Sequence, residues 1–388
     1  MKNKLVIVLS FVITMVFGMV LTSYSPLLPS IAKTFSLSLS QSGFIFSANF
    51  IGFVSFILLG GILADHIGKK TIFVIVVFGF AISLMIFPFT PNFIFASIVM
   101  VLIGGFGGII ETITGAVMSD INPSKESFYV NMTQVFFGIG AVIGPILAGI
   151  VVAAGINWKL YYFGIGIITV MIGLILASSK VPNKPSKEVL SLTTLKKLFS
   201  DKRLLLICLC MFLYTGSEVG SWGWMTTFLN EDMSFSILKS SIAVAAFWAS
   251  MTLSRFICGY LTLKYSEKWI VIVLSLSSAV FILLMGLVQN EQMIWSVIIG
   301  LGFSFSSQWP LIATFGSKAH KASSATVFAM LVGSGGLGAT VIPYAMGLIG
   351  EKIGVKIASM SPVGFFILIA IIFISIDRES VITNSQVG

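Results

Sequence analysis

The sequence predicts an all-α membrane protein of twelve transmembrane helices arranged in two related six-helix halves, and three observations carry that prediction. Of 388 residues, 57% are hydrophobic and 10% are charged, against about 25% charged in an ordinary soluble domain, so a water-soluble fold is excluded. Apolar stretches of the length that crosses a hydrocarbon layer, about 20 residues, follow one another almost without pause between residues 5 and 376. These runs are too long and continuous for the alternating strands, about 10 residues each, of a transmembrane barrel, so the spanning elements are helices.

Taken in order, the predicted spans are 5–28, 41–63, 71–90, 94–118, 129–152 and 159–178 in the first half. Those of the second half are 204–229, 239–261, 270–288, 294–315, 324–348 and 361–376. The expected domains are a bundle over 1–178, a cytoplasmic linker over 179–203 rich in Pro, Ser and Lys, and a second bundle over 204–388. No cleavage site of small residues follows the first apolar run, which therefore reads as a retained first helix. An even number of spans puts both termini on one side of the membrane. Placing them in the cytoplasm assigns 17 of the 23 Lys and Arg residues to cytoplasmic segments, 5 to outer loops and 1 to a span, as the positive-inside rule requires. The expected location is the plasma (inner) membrane of a bacterium. The net charge of +9 is scattered over these loops, which argues for topology and against nucleic acid as a partner. Cys208, Cys210 and Cys258 fall in apolar spans without metal-ligand companions and read as core packing.

The halves repeat when the chain is slid against itself by 198 positions: Gly18 falls on Gly216, Gly61 on Gly259, Lys70 on Lys268, Gly140 on Gly338 and Ala141 on Ala339. Parallel repeats around a site at mid-depth suit a secondary transporter, because rocking one half against the other exposes the site to each side in turn.

The loop after the second span reads Gly61-Ile62-Leu63-Ala64-Asp65-His66-Ile67-Gly68-Lys69-Lys70. Its glycines permit a tight turn, Asp65 can cap a helix start, and Lys69 and Lys70 suit the anionic leaflet. The pattern resembles the G-x-L-A-D-x-x-G-[RK]-[RK] signature of the major facilitator superfamily, and the helix count, long middle loop and repeat extend that resemblance over the whole chain. The resemblance implies the major facilitator fold and a conformational latch formed by Gly61, Asp65, Gly68, Lys69 and Lys70. In the second half the corresponding stretch carries Leu263 in place of the aspartate, so only the first latch is expected to be charged.

Charges inside spans are costly and mark function by default. Three occur: Glu111 in the fourth span, Glu218 in the seventh and Arg255 in the eighth, with Glu111 and Arg255 at similar depth. A carboxylate so placed can take up and release a proton, and Glu111 with Arg255 is the expected proton-coupling set; the alternative is a structural ion pair. Glu218 and Trp222 stand one helical turn apart on one face, a hydroxyl acceptor beside an aromatic plane. Sugars, with hydroxyls and an apolar C–H face, match such a pair. Asn131 and Gln134 on the fifth span, with Gln308 and Trp309 before Pro310 in the tenth, complete the expected substrate-binding set. For Trp309 simple packing, and for Asn131 an interfacial position, are the competing readings.

The Gly-x-x-Glu around Glu111, the run from Asn131 to Pro145, Tyr214-Thr-Gly-Ser-Glu218 and Ser254-Arg-Phe-x-x-Gly259 resemble the fucose, galactose and glucose proton symporter branch, particularly bacterial glucose/mannose permeases. That resemblance implies hexose uptake driven by a proton, with sodium as the alternative ion, coupling through Glu111 and a sugar site including Gln134. One departure is Ser25, where fucose symporters carry an aspartate. Proton-coupled export of a drug or other metabolite is the alternative function, since Gly140–Gly149 also resembles a motif of drug/proton antiporters. No cofactor is expected; the partners are a small molecule, probed first as a hexose, and the lipid bilayer, and the chain is expected to be a monomer. With His66 and His320 the only histidines, both in loops, no enzyme site is expected.

Overall fold

The computed structural model describes residues 2–121, 126–179, 181, 200–319 and 324–376. The surroundings of Gly61, the side chains of Asp65 and His66, residue His320 and most of the predicted 179–203 linker lie outside what is described. Among the described residues the chain is helical: α1 (Lys2–Phe35), α2 (Leu39–Ile67), α3 (Lys69–Ile86), α4 (Phe93–Ile121), α5 (Glu126–Ala153), α6 (Trp158–Ser178), α7 (Lys202–Asp232), α8 (Ile237–Leu261), α9 (Glu267–Leu287), α10 (Glu291–Phe305), α11 (Gln308–Ala319), α12 (Ser324–Ile353), α13 (Val355–Met360) and α14 (Val363–Ser375). They make twelve membrane spans, with α10 and α11 sharing the tenth and α13 and α14 the twelfth. Most helices outrun their predicted apolar stretches, because intrahelical hydrogen bonds continue past the hydrocarbon edge where composition turns polar.

The tenth span is broken, which its hydropathy did not predict. Pro310 has no N–H and its ring collides with the carbonyl four residues back, that of Ser306. The helix accordingly stops at Phe305 and restarts at Gln308.

The chain divides into two compact units, one of Met1–Lys187 with Trp222–Trp248, the other of Glu188–Ser221 with Ala249–Gly388. In the first, α1 packs on α5, α2 on α4 and α3 on α6; in the second, α9 packs on α14, α10 and α11, and α11 on α12. Small residues set the closest approaches, as is usual where packing rather than hydrophobicity joins helices in lipid. A Cβ on Gly52 would stand 1.8 Å from the Val101 carbonyl. At the same positions of the repeat, Ser250 donates its hydroxyl to the Ile299 carbonyl at 2.6 Å. Gly18 and its repeat mate Gly216 are likewise close to backbone, a Cβ on each standing 2.4 Å from the Phe137 carbonyl and 2.5 Å from that of Gly338. The repeat also carries Pro145 of α5 onto Pro343 of α12.

Between α2 and α3 the chain turns at Gly68, whose φ of 102° is closed to other residues. Lys69 then opens α3 and meets Asp120 at 2.7 Å, the two side chains 9% and 12% exposed. In the second unit Lys318 pairs with Glu267. These are the repeat partners of Asp120 and Lys69 with the signs exchanged. Leu263 stands where the aspartate would be, and the charged contact of this unit is made from the helix start instead. Polarity matters here: Glu267 at a helix start and Lys318 at a helix end are favoured by the helix dipole, while Lys69 and Asp120 occupy the disfavoured ends. The first pair is therefore held by its mutual attraction in a nearly buried setting. Lys69→Ala is expected to lower stability by about 3–5 kcal/mol, the cost of stranding a buried charge. Glu267→Ala, facing a half-exposed lysine, should cost about 0–1 kcal/mol. Denaturant unfolding of the purified variants checks the difference; equal losses would contradict it, and the double exchange Lys69→Asp with Asp120→Lys should recover most of the first loss.

Candidate functional site

In the first unit the site begins with α4 and α5. The glycine-rich stretch of α4 lets neighbouring helices close in: a Cβ on Gly107 would stand 2.2 Å from the Phe17 ring. Glu111 follows one turn later, half-buried, and Gln134 of α5 points its amide at it, Nε2 lying 3.4 Å from Oε1. That separation is at the long edge of a hydrogen bond. Two of the predicted residues, one assigned to coupling and one to substrate, are thus neighbours. Asn131, one turn earlier on α5, is exposed.

A line of aromatic rings runs through the same unit. Phe137 of α5 stands 6.0 Å from Trp248 of α8, Trp248 stands 5.8 Å from Trp222 of α7, and Trp222 stands 5.1 Å from Phe46 of α2, all with steeply inclined planes. Tyr24 of α1 stacks flat on Phe46 at 4.8 Å. Edge-to-face rings at these distances attract beyond their buried area. Trp222 is 1% exposed in this line, so its ring packs against other rings. Beside it, the Ser25 hydroxyl donates to Thr226 Oγ1 at 3.0 Å. Ser25 therefore ties α1 to the later part of α7.

The second unit holds the other two charges. Glu218 of α7 is 8% exposed. It stands one helical turn after Tyr214 on the same face of α7, and Arg255 of α8 acts on it electrostatically. Arg255 Nε donates to the Ser306 carbonyl at 3.1 Å, and Tyr214 donates to the Phe305 carbonyl at 2.7 Å. Tyr214 is held in place by the rings of Phe305 and Phe366, 6.2 and 6.3 Å away. The sequence set Arg255 with Glu111 on matching depth and on the family resemblance; within its own unit the carboxylate that Arg255 acts on is Glu218.

Gln308 is fully buried and its amide serves three protein groups: it accepts from Ser275 at 2.8 Å and donates to Ser278 at 2.9 Å and to the Ser304 carbonyl at 3.0 Å. This is the bonding of a brace across α9, α10 and α11. Trp309 is half-buried and packs edge-on against Phe328 at 5.8 Å. Sequence reasoning passed over Tyr214, Trp248, Phe137 and the Ser306 carbonyl. Tyr214 had a usable signal, since it lies one helical turn before Glu218; Pro310 pointed to Ser306 through its missing N–H. The three cysteines are buried, as expected. Among the described residues no cluster of His, Cys, Asp and Glu could hold a metal ion.

The family description "Major Facilitator Superfamily" matches residues 10–334. A TsgA homolog of Buchnera aphidicola subsp. Baizongia pistaciae is 24% identical over 379 residues, covering 95% of each chain. Among solved structures, the nucleoside transporter NupG superposes with a TM-score of 0.84 at 17% identity, covering 97% of this chain and 99% of that one. A D-xylose-proton symporter superposes with a TM-score of 0.80 at 14% identity, covering 97% and 98%. At such identities the structural likenesses speak to fold. The family match over most of the chain, with twelve membrane spans behind it, makes this protein a multi-pass transporter of a small molecule and not an enzyme. The chain belongs to the Major Facilitator Superfamily.

Proposed function

We propose that this transporter takes up a monosaccharide together with a proton by alternating access. The observation that carries the reading is the approach of Gln134 to Glu111 at 3.4 Å. A carboxylate deep in a membrane helix is expensive unless it is used or paired. Here it sits beside an amide able to donate to and accept from a sugar hydroxyl. Protonation of Glu111 exchanges an acceptor for a donor, which Gln134 can meet by presenting its carbonyl oxygen. The amide that would bind sugar is thereby sensitive to the state of the ion site. The likeness in fold to a D-xylose-proton symporter supports the reading.

In this proposal Glu111 governs coupling, with the proton as the ion and sodium as the alternative. Gln134 and Asn131 act on the sugar from the first half, and Glu218 and Trp309 from the second. Arg255 compensates the charge of Glu218. Trp222 closes the site through the aromatic line, and Gln308 keeps the broken span in shape. The halves are 1–178 and 204–388, joined through 179–203, in a bacterial inner membrane with both termini cytoplasmic and the chain acting as a monomer. Lys69 and Lys70, with Gly61, Asp65 and Gly68, form the cytoplasmic latch.

A second reading, proton-coupled export of a lipophilic drug or metabolite, draws on the line Phe46–Trp222–Trp248–Phe137.

Uptake of labelled glucose, mannose, galactose and fucose into proteoliposomes under an inward proton gradient decides between the readings. Accumulation that an uncoupler abolishes is expected; its absence for every sugar turns attention to drug/proton exchange. Glu111→Gln should abolish gradient-driven accumulation while leaving counterflow exchange of the same sugar intact. A Glu111→Gln variant that still concentrates sugar removes the residue from coupling. Gln134→Ala should raise KM by roughly 10- to 100-fold, the equivalent of a hydrogen bond of about 1.5–3 kcal/mol, and an unchanged KM takes it out of the sugar site.

A further inference from the structure

The second unit contains a buried carboxylate wired to a helix break, and the wiring has a single movable proton. Pro310 deprives the Ser306 carbonyl of its helical partner, and the break leaves the Phe305 carbonyl outside the regular ladder as well. Such groups cannot be left bare in the hydrocarbon region. Arg255 Nε supplies one donor, at 3.1 Å from the Ser306 oxygen, and the Tyr214 hydroxyl supplies the other, at 2.7 Å from the Phe305 oxygen. The two residues that satisfy the break are the same two that act on Glu218.

Counting donors separates their roles. A guanidinium has five N–H groups and can hold Ser306 and Glu218 at once; a phenol has one O–H and must choose. With Glu218 ionised, the carboxylate competes with the Phe305 carbonyl for the tyrosine proton, and a charged acceptor is the stronger competitor. With Glu218 protonated, its own O–H donates to the tyrosine oxygen, and the tyrosine proton goes wholly to Phe305. We propose that Tyr214 is a positioning residue that converts the protonation state of Glu218 into the rigidity of the tenth span: the break is clamped when Glu218 is protonated and released when it is ionised. The charged and titratable groups acting on Glu218 are Tyr214 of its own helix and Arg255 of α8. The neighbouring helices contribute the carbonyls of α10 and its end, the Phe305 and Phe366 rings, and the close glycine Gly335 of α12, which meets Thr215 and Met211. The inference rests on the ion-coupled reading above and adds a second carboxylate, with a different output, to it.

Amide hydrogen exchange of the purified chain in lipid nanodiscs, without substrate, tests this over residues 303–311. After correction for the intrinsic rate, protection there is expected to fall by about tenfold from mildly acidic to neutral pH, as a local opening reports. Two conservative variants should freeze opposite states. Glu218→Gln should stay protected at both pH values, and Tyr214→Phe, which removes only the hydroxyl, should stay unprotected at both. A wild-type chain whose protection does not change with pH overturns the proposal. So does a Glu218→Gln chain that keeps the full pH response, since another group would then be titrating. Because no sugar enters the measurement, its failure leaves the uptake reading standing, and failure of sugar uptake leaves this one standing.

Discussion

A bilayer core offers no water to a backbone or side-chain polar group, and most of what is particular to this chain is a response to that. Helices answer it for the backbone. Hydroxyls answer it by donating back along their own helix: Thr14 to Ser10, Thr22 to Gly18, Ser83 to Gly79 and Ser217 to Leu213, at 2.6–2.9 Å. Such side chains make a span look polar in sequence while their one donor is already spent on the helix itself. The exceptions are informative for the same reason. Where Pro310 breaks the pattern, Arg255, Tyr214, Gln308 and a set of serines gather to restore it.

Duplication supplied two copies of one framework, and the copies show which features packing demands and which are free to change. Close approach is demanded. Gly52 and Ser250 stand at matching positions, the first by leaving room for a carbonyl and the second by bonding to one. An ion pair between the start of one helix and the end of another is also kept, but its polarity is free, since Lys69–Asp120 and Glu267–Lys318 do the same bridging with opposite signs. Polarity does change the energetics, because one arrangement works with the helix dipoles and the other against them. The Lys69–Asp120 pair must therefore offset an unfavourable dipole at each end, whereas Glu267–Lys318 adds to a favourable one.

Twelve spans were legible because hydropathy reports the solvent each segment faces, and the resemblance to the superfamily followed from residues adjacent in sequence, Gly61 to Lys70. Gly68 was legible as a turn for the reason the structure bears out, a φ that only glycine adopts readily. What was not legible came from tertiary partners. Nothing in the sequence names Asp120 as the mate of Lys69. Gln308 read as a ligand donor because a glutamine in a span is conspicuous, whereas Ser275, Ser278 and Ser304, which its amide already serves, look like any membrane serines. Trp222 beside Glu218 suggested a sugar platform from helix periodicity, yet its ring is covered by Phe46 and Trp248, which periodicity along α7 cannot reveal. The meeting of Glu111 with Gln134 was half legible: each was singled out, but by different arguments that did not place them together.

The two membrane carboxylates have partners that differ in what they pass on. An amide carries donor and acceptor on one group, so Gln134 can answer either state of Glu111 by turning about its own bond, and the change ends at that pair unless a ligand shares the amide. That property belongs to a binding site, where the ion should alter affinity. A phenol also answers either state, but with a single proton it cannot do so without altering its second bond, and at Tyr214 that bond is to backbone at a helix break. That property belongs to a conformational element, where the ion should alter shape. Alternating access needs both outputs, and the chemistry of the neighbouring side chain, rather than of the carboxylate itself, decides which one each site gives.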